Sequence, residues 1–291
     1  MSLDDMPIQP PLRLPEGNAY GERVLAASRS VLETHQGHLD QSYGPDYWQK
    51  VDVFLPRVPS AAALPLLVFA HGGSWVGGYK EWMAYMAPAV TAIPAIFVSV
   101  SYRLAPQNPY PLPFEDCCDA IHLVYERAES LGGDKSRIYV GGHSAGGHLM
   151  SLAAVRGDWQ RERNLPADVV KGCLSISGVY DLQTAQLDAA EKAARSNALI
   201  GCPADEAPAS PVVHVSASSP PFVITVGELD FPPLRQQARE MRDRLEAAGV
   251  AVVFQEIAGA DHFATSEHCV NADHPWLAAA SRFLRAEHAA R

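Results

Sequence analysis

Basic residues are scarce in this chain of 291 residues, where 23 lysines and arginines stand against 33 aspartates and glutamates for a formal net charge of -10. No basic run is present either, and this balance disfavours nucleic acid and anionic membranes as partners. Charged residues make up 19% and hydrophobic residues 47%, which is typical of a globular protein with a large core. The expected partner is a small organic substrate, and the oligomeric state is left open.

Cysteines and long apolar runs are also scarce. The five cysteines, an odd number that includes the adjacent Cys117 and Cys118, form neither a disulfide framework nor a CxxC zinc pattern, which favours a reducing compartment. The longest apolar stretch, residues 61–70, is about half as long as a membrane-spanning helix requires. The acidic start of the chain lacks the charged and apolar regions of a signal peptide. We expect a cytoplasmic protein without membrane association.

One domain, residues 1–291, is predicted because no repeat or Gly/Ser-rich linker divides the chain. Residues 1–20 hold four prolines and are predicted to be an irregular arm that covers a sheet edge or the site entrance, followed by a helix at 20–33. Residues 181–213 are Ala-rich and interrupt the pattern of strands and helices, so we expect a small lid or cap insertion there.

From residue 50 onward, short apolar runs alternate with helical patterns, which predicts an α/β fold with a mostly parallel sheet and helices on both faces. The predicted strands lie at 51–55, 66–70, 95–101, 138–141, 172–176, 222–226 and 250–256, and the predicted helices at 114–131, 145–156, 234–248 and 275–287.

A Gly-x-Ser-x-Gly pattern at residues 142–146 places Ser144 between a predicted strand and a predicted helix. The pattern alone is common, but a strand-to-helix turn is the setting of a nucleophile elbow, in which small neighbours allow a strained serine. The competing interpretation is a glycine-rich turn whose serine merely caps a helix. The matching strand and helix favour the nucleophile.

A second glycine motif, His71-Gly72-Gly73-Ser74-Trp75, directly follows the predicted strand at 66–70. In such a loop, backbone N–H groups bind the oxyanion of a tetrahedral intermediate, together with the N–H that follows the nucleophile. The predicted donors are Gly73, Ser74 and Ala145. Two glycine motifs in this chain order predict an α/β-hydrolase fold.

A serine nucleophile needs an imidazole base, and eleven histidines compete for that role. His262 is predicted because it follows the last predicted strand and precedes the final helix, which matches the chain order serine, acid, histidine. His143 and His148 flank Ser144, but their side chains are expected to point elsewhere, and His71 is expected to be a structural hydrogen bonder.

The acid is expected on the loop after the predicted strand at 222–226. Asp230 is preferred and Glu228 is the alternative, whereas Asp261 adjoins His262 too closely in sequence to orient its ring. His268 and His274, with Glu267 nearby, fit no standard metal-binding spacing, so no metal site is predicted.

Several segments resemble the kynurenine formamidase, or arylformamidase, branch of the α/β-hydrolases, which is close to the hormone-sensitive-lipase-like esterases. They cover most of the chain from about residue 40, and comprise residues 42–44, 52–56, 71–75, 142–149, 177–182, 226–230 and 261–263. Trp75 and the run Ser-Gly-Val-Tyr-Asp-Leu at 177–182 are similar to the formamidases, whereas Ser-Tyr-Arg-Leu-Ala-Pro at 101–106 is similar to the wider esterase group. The resemblance implies Ser144, Asp230 and His262 as the triad and no metal or organic cofactor.

The predicted function is hydrolysis of a carboxylic amide or ester through an acyl-enzyme. The first hypothesis for the substrate is an aryl formamide such as N-formylkynurenine, with Trp75 as an aromatic wall, and the alternative is a general short-chain carboxylesterase. A non-catalytic ligand-binding protein is a remote alternative, because both glycine motifs and all three triad positions are intact. Four aromatic residues near the motifs either line the pocket or belong to the core: Trp159, Tyr180, Phe231 and Phe263.

Overall fold

The computed structural model describes residues 6–58, 60–184 and 198–285, and a sheet of eight strands forms its framework. The order across the sheet is β1-β2-β4-β3-β5-β6-β7-β8. The pairs β1–β2 and β2–β4 are antiparallel, and the other neighbours are parallel. The strands are β1 (Gly37–Ser42), β2 (Lys50–Phe54), β3 (Leu64–Ala70), β4 (Ile96–Val100), β5 (Gly133–His143), β6 (Val170–Ile176), β7 (Phe222–Gly227) and β8 (Val252–Ile257).

Helices cover both faces of this sheet, and accordingly β3 and β4 are buried along almost their whole length. Along β3, Val68 joins one hydrophobic cluster and the neighbouring Leu67 and Phe69 join the other, because successive side chains of a strand point to opposite faces. The helices are α1 (Pro15–Thr34), α2 (Ala87–Ala92), α3 (Leu112–Arg127), α4 (Ala145–Val155), α5 (Trp159–Glu162), α6 (Pro211–His214), α7 (Pro232–Ala247), α8 (His262–Glu267) and α9 (Pro275–Arg285). No helix within the described ranges is both long and apolar enough to cross a bilayer.

The predicted α/β architecture is confirmed, and each of the seven predicted strands is present. The strand β1 was missed because it is a half-exposed edge strand of mixed polarity, which carries no apolar run. The helix predicted at 20–33 begins earlier, at Pro15, so the arm is shorter than predicted. Proline suits the first turn of a helix, where its missing N–H group would have no partner, and there it marks a beginning and not a break.

The predicted lid at 181–213 is only partly described, because residues 185–197 lie outside the described ranges. The same holds for 286–287, at the end of the last predicted helix. Beyond the gap, the chain packs down onto α4: Leu199 and Ala209 are fully buried, and the carbonyl of Ala209 accepts a hydrogen bond from His148. This part of the segment therefore belongs to the packed body of the protein.

Candidate active site

Ser144 lies in a sharp turn between β5 and α4, at the edge where the parallel strands end. Its backbone angles are φ 54° and ψ -117°, a conformation that non-glycine residues rarely adopt and that is common at functional sites. The flanking glycines make the turn possible. A Cβ atom on Gly142 would collide with the backbone of Gly146, and a Cβ atom on Gly146 would collide with the carbonyl of Ala70.

His262 connects Ser144 to Asp230 through two hydrogen bonds. The Ser144 Oγ atom lies 2.9 Å from His262 Nε2, and His262 Nδ1 lies 2.8 Å from Asp230 Oδ1. Because a carboxylate only accepts hydrogen bonds, the ring proton belongs on Nδ1, and Nε2 presents its lone pair to the serine hydroxyl. The arrangement suits removal of the serine proton.

The surroundings of Asp230 keep its carboxylate ionised. The residue is only 3% exposed. Burial by itself would raise its pKa, but the hydrogen bond and charge of His262 outweigh burial and hold the pKa of Asp230 below its usual value. The backbone N–H of Phe231 also donates to Oδ1, at 2.7 Å. The imidazole therefore faces a fixed negative charge.

The other two acidic candidates face elsewhere. Glu228 is exposed, and its Oε2 atom accepts the backbone N–H of Gly259 at 2.7 Å. Asp261 caps α8, where its Oδ1 atom accepts the N–H groups of Phe263 and Ala264 at 3.0 and 2.8 Å. Of the three carboxylates weighed from the sequence, the structure brings Asp230 to the imidazole.

The loop after β3, residues 71–79 and hereafter the glycine loop, runs beside Ser144. A Cβ atom on Gly72 would lie 3.3 Å from the Cβ atom of Ser144, so Gly72 lies close to the elbow and leaves no room there for a side chain. Ala145 begins α4, and the first N–H groups of a helix have no acceptor within the helix. Backbone groups of the loop and of α4 therefore meet at Ser144.

Of the other predicted oxyanion donors, Gly73 is partly buried and Ser74 is exposed. Three consecutive residues of the loop, Gly73, Ser74 and Trp75, have positive φ angles of 115°, 53° and 62°. Sequence reasoning missed the contact made by Gly72, although the glycine itself was part of the motif. Which residue of such an irregular loop approaches Ser144 depends on the tertiary contacts of the loop.

His143 contradicts the expectation that its side chain points away from the site. Its Nε2 atom donates to the backbone carbonyl of His262 at 3.1 Å, and the two ring centroids are 4.9 Å apart. Burial, with the neighbouring charge of His262, lowers the pKa of His143 to about 3, so the ring is neutral. It supports the backbone at His262 and is too weak a base to compete for the serine proton.

Trp75, expected from the sequence to be an aromatic wall for the substrate, is only 5% exposed and makes its polar contact with the framework. Its indole N–H donates to His148 Nδ1 at 3.1 Å, and His148 Nε2 donates to the carbonyl of Ala209 at 2.7 Å. Burial lowers the pKa of His148 to about 4, which keeps the ring neutral and able to accept from the indole. Trp75 thus ties the glycine loop to α4.

Of the four aromatic residues weighed from the sequence, two belong to the core and two lie beside the imidazole. Trp159 and Tyr180 are 2% and 0% exposed and belong to the core. Phe231 is 39% exposed, and its ring lies 5.0 Å from that of His262, while the partly buried Phe263 lies 5.1 Å from it on another side. Phe231 is therefore the exposed aromatic side chain next to the imidazole.

His71 and Glu267, two further polar residues weighed from the sequence, make framework contacts. His71 donates through Nδ1 to the carbonyl of Gly72 at 2.6 Å and stacks on Tyr102, and burial lowers its pKa to about 4. Glu267 pairs with Arg23 at 2.8 Å. The described residues contain no group of three or more histidines, cysteines or acids that could hold a metal.

Comparison with known proteins gives the family of this chain. The profile of a family described as alpha/beta hydrolase fold matches residues 67–266. Kynurenine formamidase of Danio rerio is 28% identical over 84% of this chain and 80% of its own length. Esterase LipC of Mycobacterium tuberculosis is 30% identical over 76% of this chain and 58% of its own length.

A solved structure, that of a hyperthermophilic esterase from the archaeon Pyrobaculum calidifontis, has a TM-score of 0.74 to this chain at 26% identity. The match covers 91% of this chain and 90% of that one. The resemblance to both formamidases and esterases is thereby confirmed.

Proposed function

The chain belongs to the α/β-hydrolase fold family, and we propose that it is a serine hydrolase in which Ser144 is the nucleophile, His262 the base and Asp230 the orienting acid. The observation that carries this proposal is the continuous hydrogen-bond path from Ser144 Oγ through the imidazole to Asp230, with distances of 2.9 and 2.8 Å. A merely structural serine has no need of a buried imidazole and carboxylate in this order.

In the proposed reaction, His262 Nε2 takes the proton of Ser144 as the serine oxygen attacks the substrate carbonyl. Asp230 holds the imidazole in the required tautomer and stabilises its cationic form. When the tetrahedral intermediate collapses, His262 returns the proton to the leaving nitrogen or oxygen, and an acyl-enzyme remains. Water then repeats the sequence and releases the acid.

Developing negative charge on the carbonyl oxygen needs hydrogen-bond donors at the elbow. We propose that backbone N–H groups of the glycine loop and of Ala145 supply them. Gly73 and Ser74 are the donors expected from the sequence, and the contact of Gly72 with Ser144 adds its N–H as a further candidate.

For the substrate, we propose an aryl formamide such as N-formylkynurenine. His262 must protonate the leaving group, so that group lies on the side of the imidazole, where Phe231 exposes an aromatic surface. An aromatic amine would cover this surface. The similarity to a protein named kynurenine formamidase supports the same choice.

A general short-chain carboxylesterase is the second candidate. It is favoured by the relatives and solved structures named as esterases and by the esterase-like run at 101–106. Within that run, Arg103 forms an ion pair with the buried Asp116 at 2.7 Å, a framework contact that does not bear on the choice of substrate.

The mechanism is tested by labelling the protein with a fluorophosphonate and locating the modified residue by peptide mass analysis. We expect modification of Ser144, and we expect Ser144→Ala to abolish both labelling and hydrolysis, with a loss of at least about 10³-fold in turnover. Ser218→Ala, at an exposed loop serine, is the matched control and should behave as wild type. Near-normal hydrolysis by Ser144→Ala would overturn the mechanism.

The substrate is tested separately by comparing kcat/KM for N-formylkynurenine and for p-nitrophenyl acetate. A higher value for the formamide supports the proposed substrate. Hydrolysis of the ester without hydrolysis of the formamide would overturn it and favour the carboxylesterase. If neither substrate is hydrolysed and Ser144 is not labelled, the ligand-binding alternative is favoured.

A further inference from the structure

The N-terminal arm, residues 6–14, lies against the outer side of the glycine loop. The side-chain amide of Gln9 pairs with both backbone groups of Gly78: its Nε2 atom donates to the carbonyl at 2.7 Å, and its Oε1 atom accepts the N–H at 2.7 Å. One residue later, the hydroxyl of Tyr79 donates to the carbonyl of Pro7 at 2.6 Å. The arm therefore holds two consecutive residues of the loop.

Within the glycine loop, Gly77 and Gly78 pack closely against Gly72 and Gly73. The carbonyl of Gly73 accepts the N–H groups of Val76 and Gly77, each at 3.0 Å, which closes a tight turn. A Cβ atom on Gly73 would collide with the carbonyl of Gly77, and one on Gly78 would collide with the carbonyl of Gly72. A displacement of Gly78 is therefore passed to the residues that face Ser144.

The arm is itself held in place by α1. Asn18 accepts the N–H of Leu12 at 2.7 Å and donates to its carbonyl at 3.0 Å. Two residues later in α1, the hydroxyl of Tyr20 lies 3.0 Å from that of Ser266, and the ring of Tyr20 lies 5.3 Å from that of His143. The support of the glycine loop thus extends to the elements that carry His262.

The glycine loop needs such support because three consecutive residues, Gly73 to Trp75, have positive φ angles. Two of them are not glycine, so the conformation is strained and persists only where surrounding contacts hold it. Oxyanion donors act only when they are held in place before charge develops, and a displacement near 1 Å costs about 10²-fold in rate.

We propose that Gln9 is a positioning residue, whose two hydrogen bonds to Gly78 hold the N–H groups of the glycine loop where the oxyanion forms. This inference rests on the serine hydrolase mechanism proposed above. It assigns a role in the reaction to a residue that is far in sequence from every motif and contacts none of the reacting atoms.

The test compares Gln9→Met with wild type. Methionine keeps the length and volume of glutamine but offers neither the amide N–H nor the carbonyl. The matched control is Gln236→Met, because Gln236 is exposed on α7 and bonds Glu240 of the same helix. Three measurements are made: steady-state kinetics with p-nitrophenyl acetate for kcat and KM, the inhibition constant of trifluoroacetophenone, and amide hydrogen exchange of residues 72–79.

In Gln9→Met we expect kcat to fall about 10- to 100-fold while KM changes by less than about threefold, because the donors act on the transition state and not on the bound ester. Trifluoroacetophenone forms a tetrahedral adduct with a reactive serine, so its inhibition constant should rise by a similar factor. Amide exchange in the loop should accelerate. Gln236→Met should match wild type in all three measurements.

An unchanged kcat in Gln9→Met, or a loss confined to KM, would overturn the role of Gln9 while leaving the serine mechanism intact. Unchanged amide exchange would overturn the role of Gln9 as well, since exchange measures how firmly the loop is held and involves no substrate. If wild type itself neither hydrolyses the ester nor reacts with a fluorophosphonate at Ser144, the proposed function is wrong and the positioning role with it.

Discussion

Phe231 lies with its ring centroid 5.0 Å from that of His262, at an interplanar angle of 45°, and 39% of it is exposed. Its backbone N–H donates to Asp230 Oδ1, so the position of the ring follows from the loop that holds the acid. In the proposed mechanism the imidazole donates a proton to the leaving group, and the apolar ring beside it offers a surface to that group. Phe231 therefore links the proposed mechanism to the choice of leaving group.

Replacing Phe231 with alanine should lower kcat/KM for phenyl acetate about fivefold and leave that for ethyl acetate nearly unchanged, because an aromatic contact contributes about 1 kcal/mol. Steady-state hydrolysis of the two acetates measures the effect, since they share the acyl group. Leu229→Ala, at a neighbouring residue that is 65% exposed, is the control. Equal losses on both esters would mean that Phe231 acts through His262 and does not contact the leaving group.

The assignment of the acid predicts that Asp230→Asn lowers kcat about 10⁴-fold with little change in KM, because the imidazole loses both its charge partner and its required tautomer. Glu228→Gln is the matched control, since its carboxylate accepts the N–H of Gly259 on the exposed side of the same loop. Steady-state kinetics with p-nitrophenyl acetate compare the two. A larger loss in Glu228→Gln would exchange their roles.

The close approach of α4 to β3 predicts a cost for any side chain at Gly146. In Gly146→Ala the new Cβ would overlap the backbone carbonyls of Ala70 and His71, which cannot move aside, so we expect the free energy of unfolding to fall by about 3 kcal/mol. Labelling of Ser144 by a fluorophosphonate should slow as well.

The matched substitution is Gly157→Ala, which meets no atom within 4 Å at a residue without a positive φ angle. It should alter the free energy of unfolding by less than about 1 kcal/mol. Urea unfolding measures both variants. Equal stability of the two would contradict the contact at Gly146.

Three buried histidines predict a loss of stability in mild acid. Burial lowers the pKa of His71 and His148 to about 4 and, with the charge of His262, that of His143 to about 3. In the unfolded chain these rings take up protons near pH 6.5, so from about pH 6.5 down to about pH 4 the unfolded state binds more protons. The free energy of unfolding should fall with pH by up to about 1.4 kcal/mol per unit for each ring.

Asp52 titrates in the opposite sense, because burial raises its pKa to about 6, and the comparison therefore needs a matched variant. In His148→Gln the amide can still accept from Trp75 and donate to the carbonyl of Ala209, but it takes up no proton. Urea unfolding between about pH 6.5 and 5 should give this variant a shallower slope than wild type. Equal slopes would show that His148 is protonated in the folded state.

Local chemistry accounts for what the sequence could predict of the fold. The apolar runs within β3, β4 and β7 follow from burial on both faces of the sheet, and these runs are visible in composition alone. The strand β1 was not predicted because an edge strand needs no such run. The beginning of α1 was placed too late because Pro15 can either break a helix or open one, and only the contacts of the arm decide which.

In the candidate site, too, some features follow from the local sequence and others from the tertiary structure. The small residues around Ser144 and in the glycine loop are required by the local backbone, so the sequence by itself determined the elbow, the loop and their order in the chain. Tertiary structure alone decided that His143 contacts His262, that Trp75 turns inward to His148, and that Gln9 reaches Gly78, 69 residues away. Contacts at such separations depend on how whole elements pack, and no local pattern of residues records them.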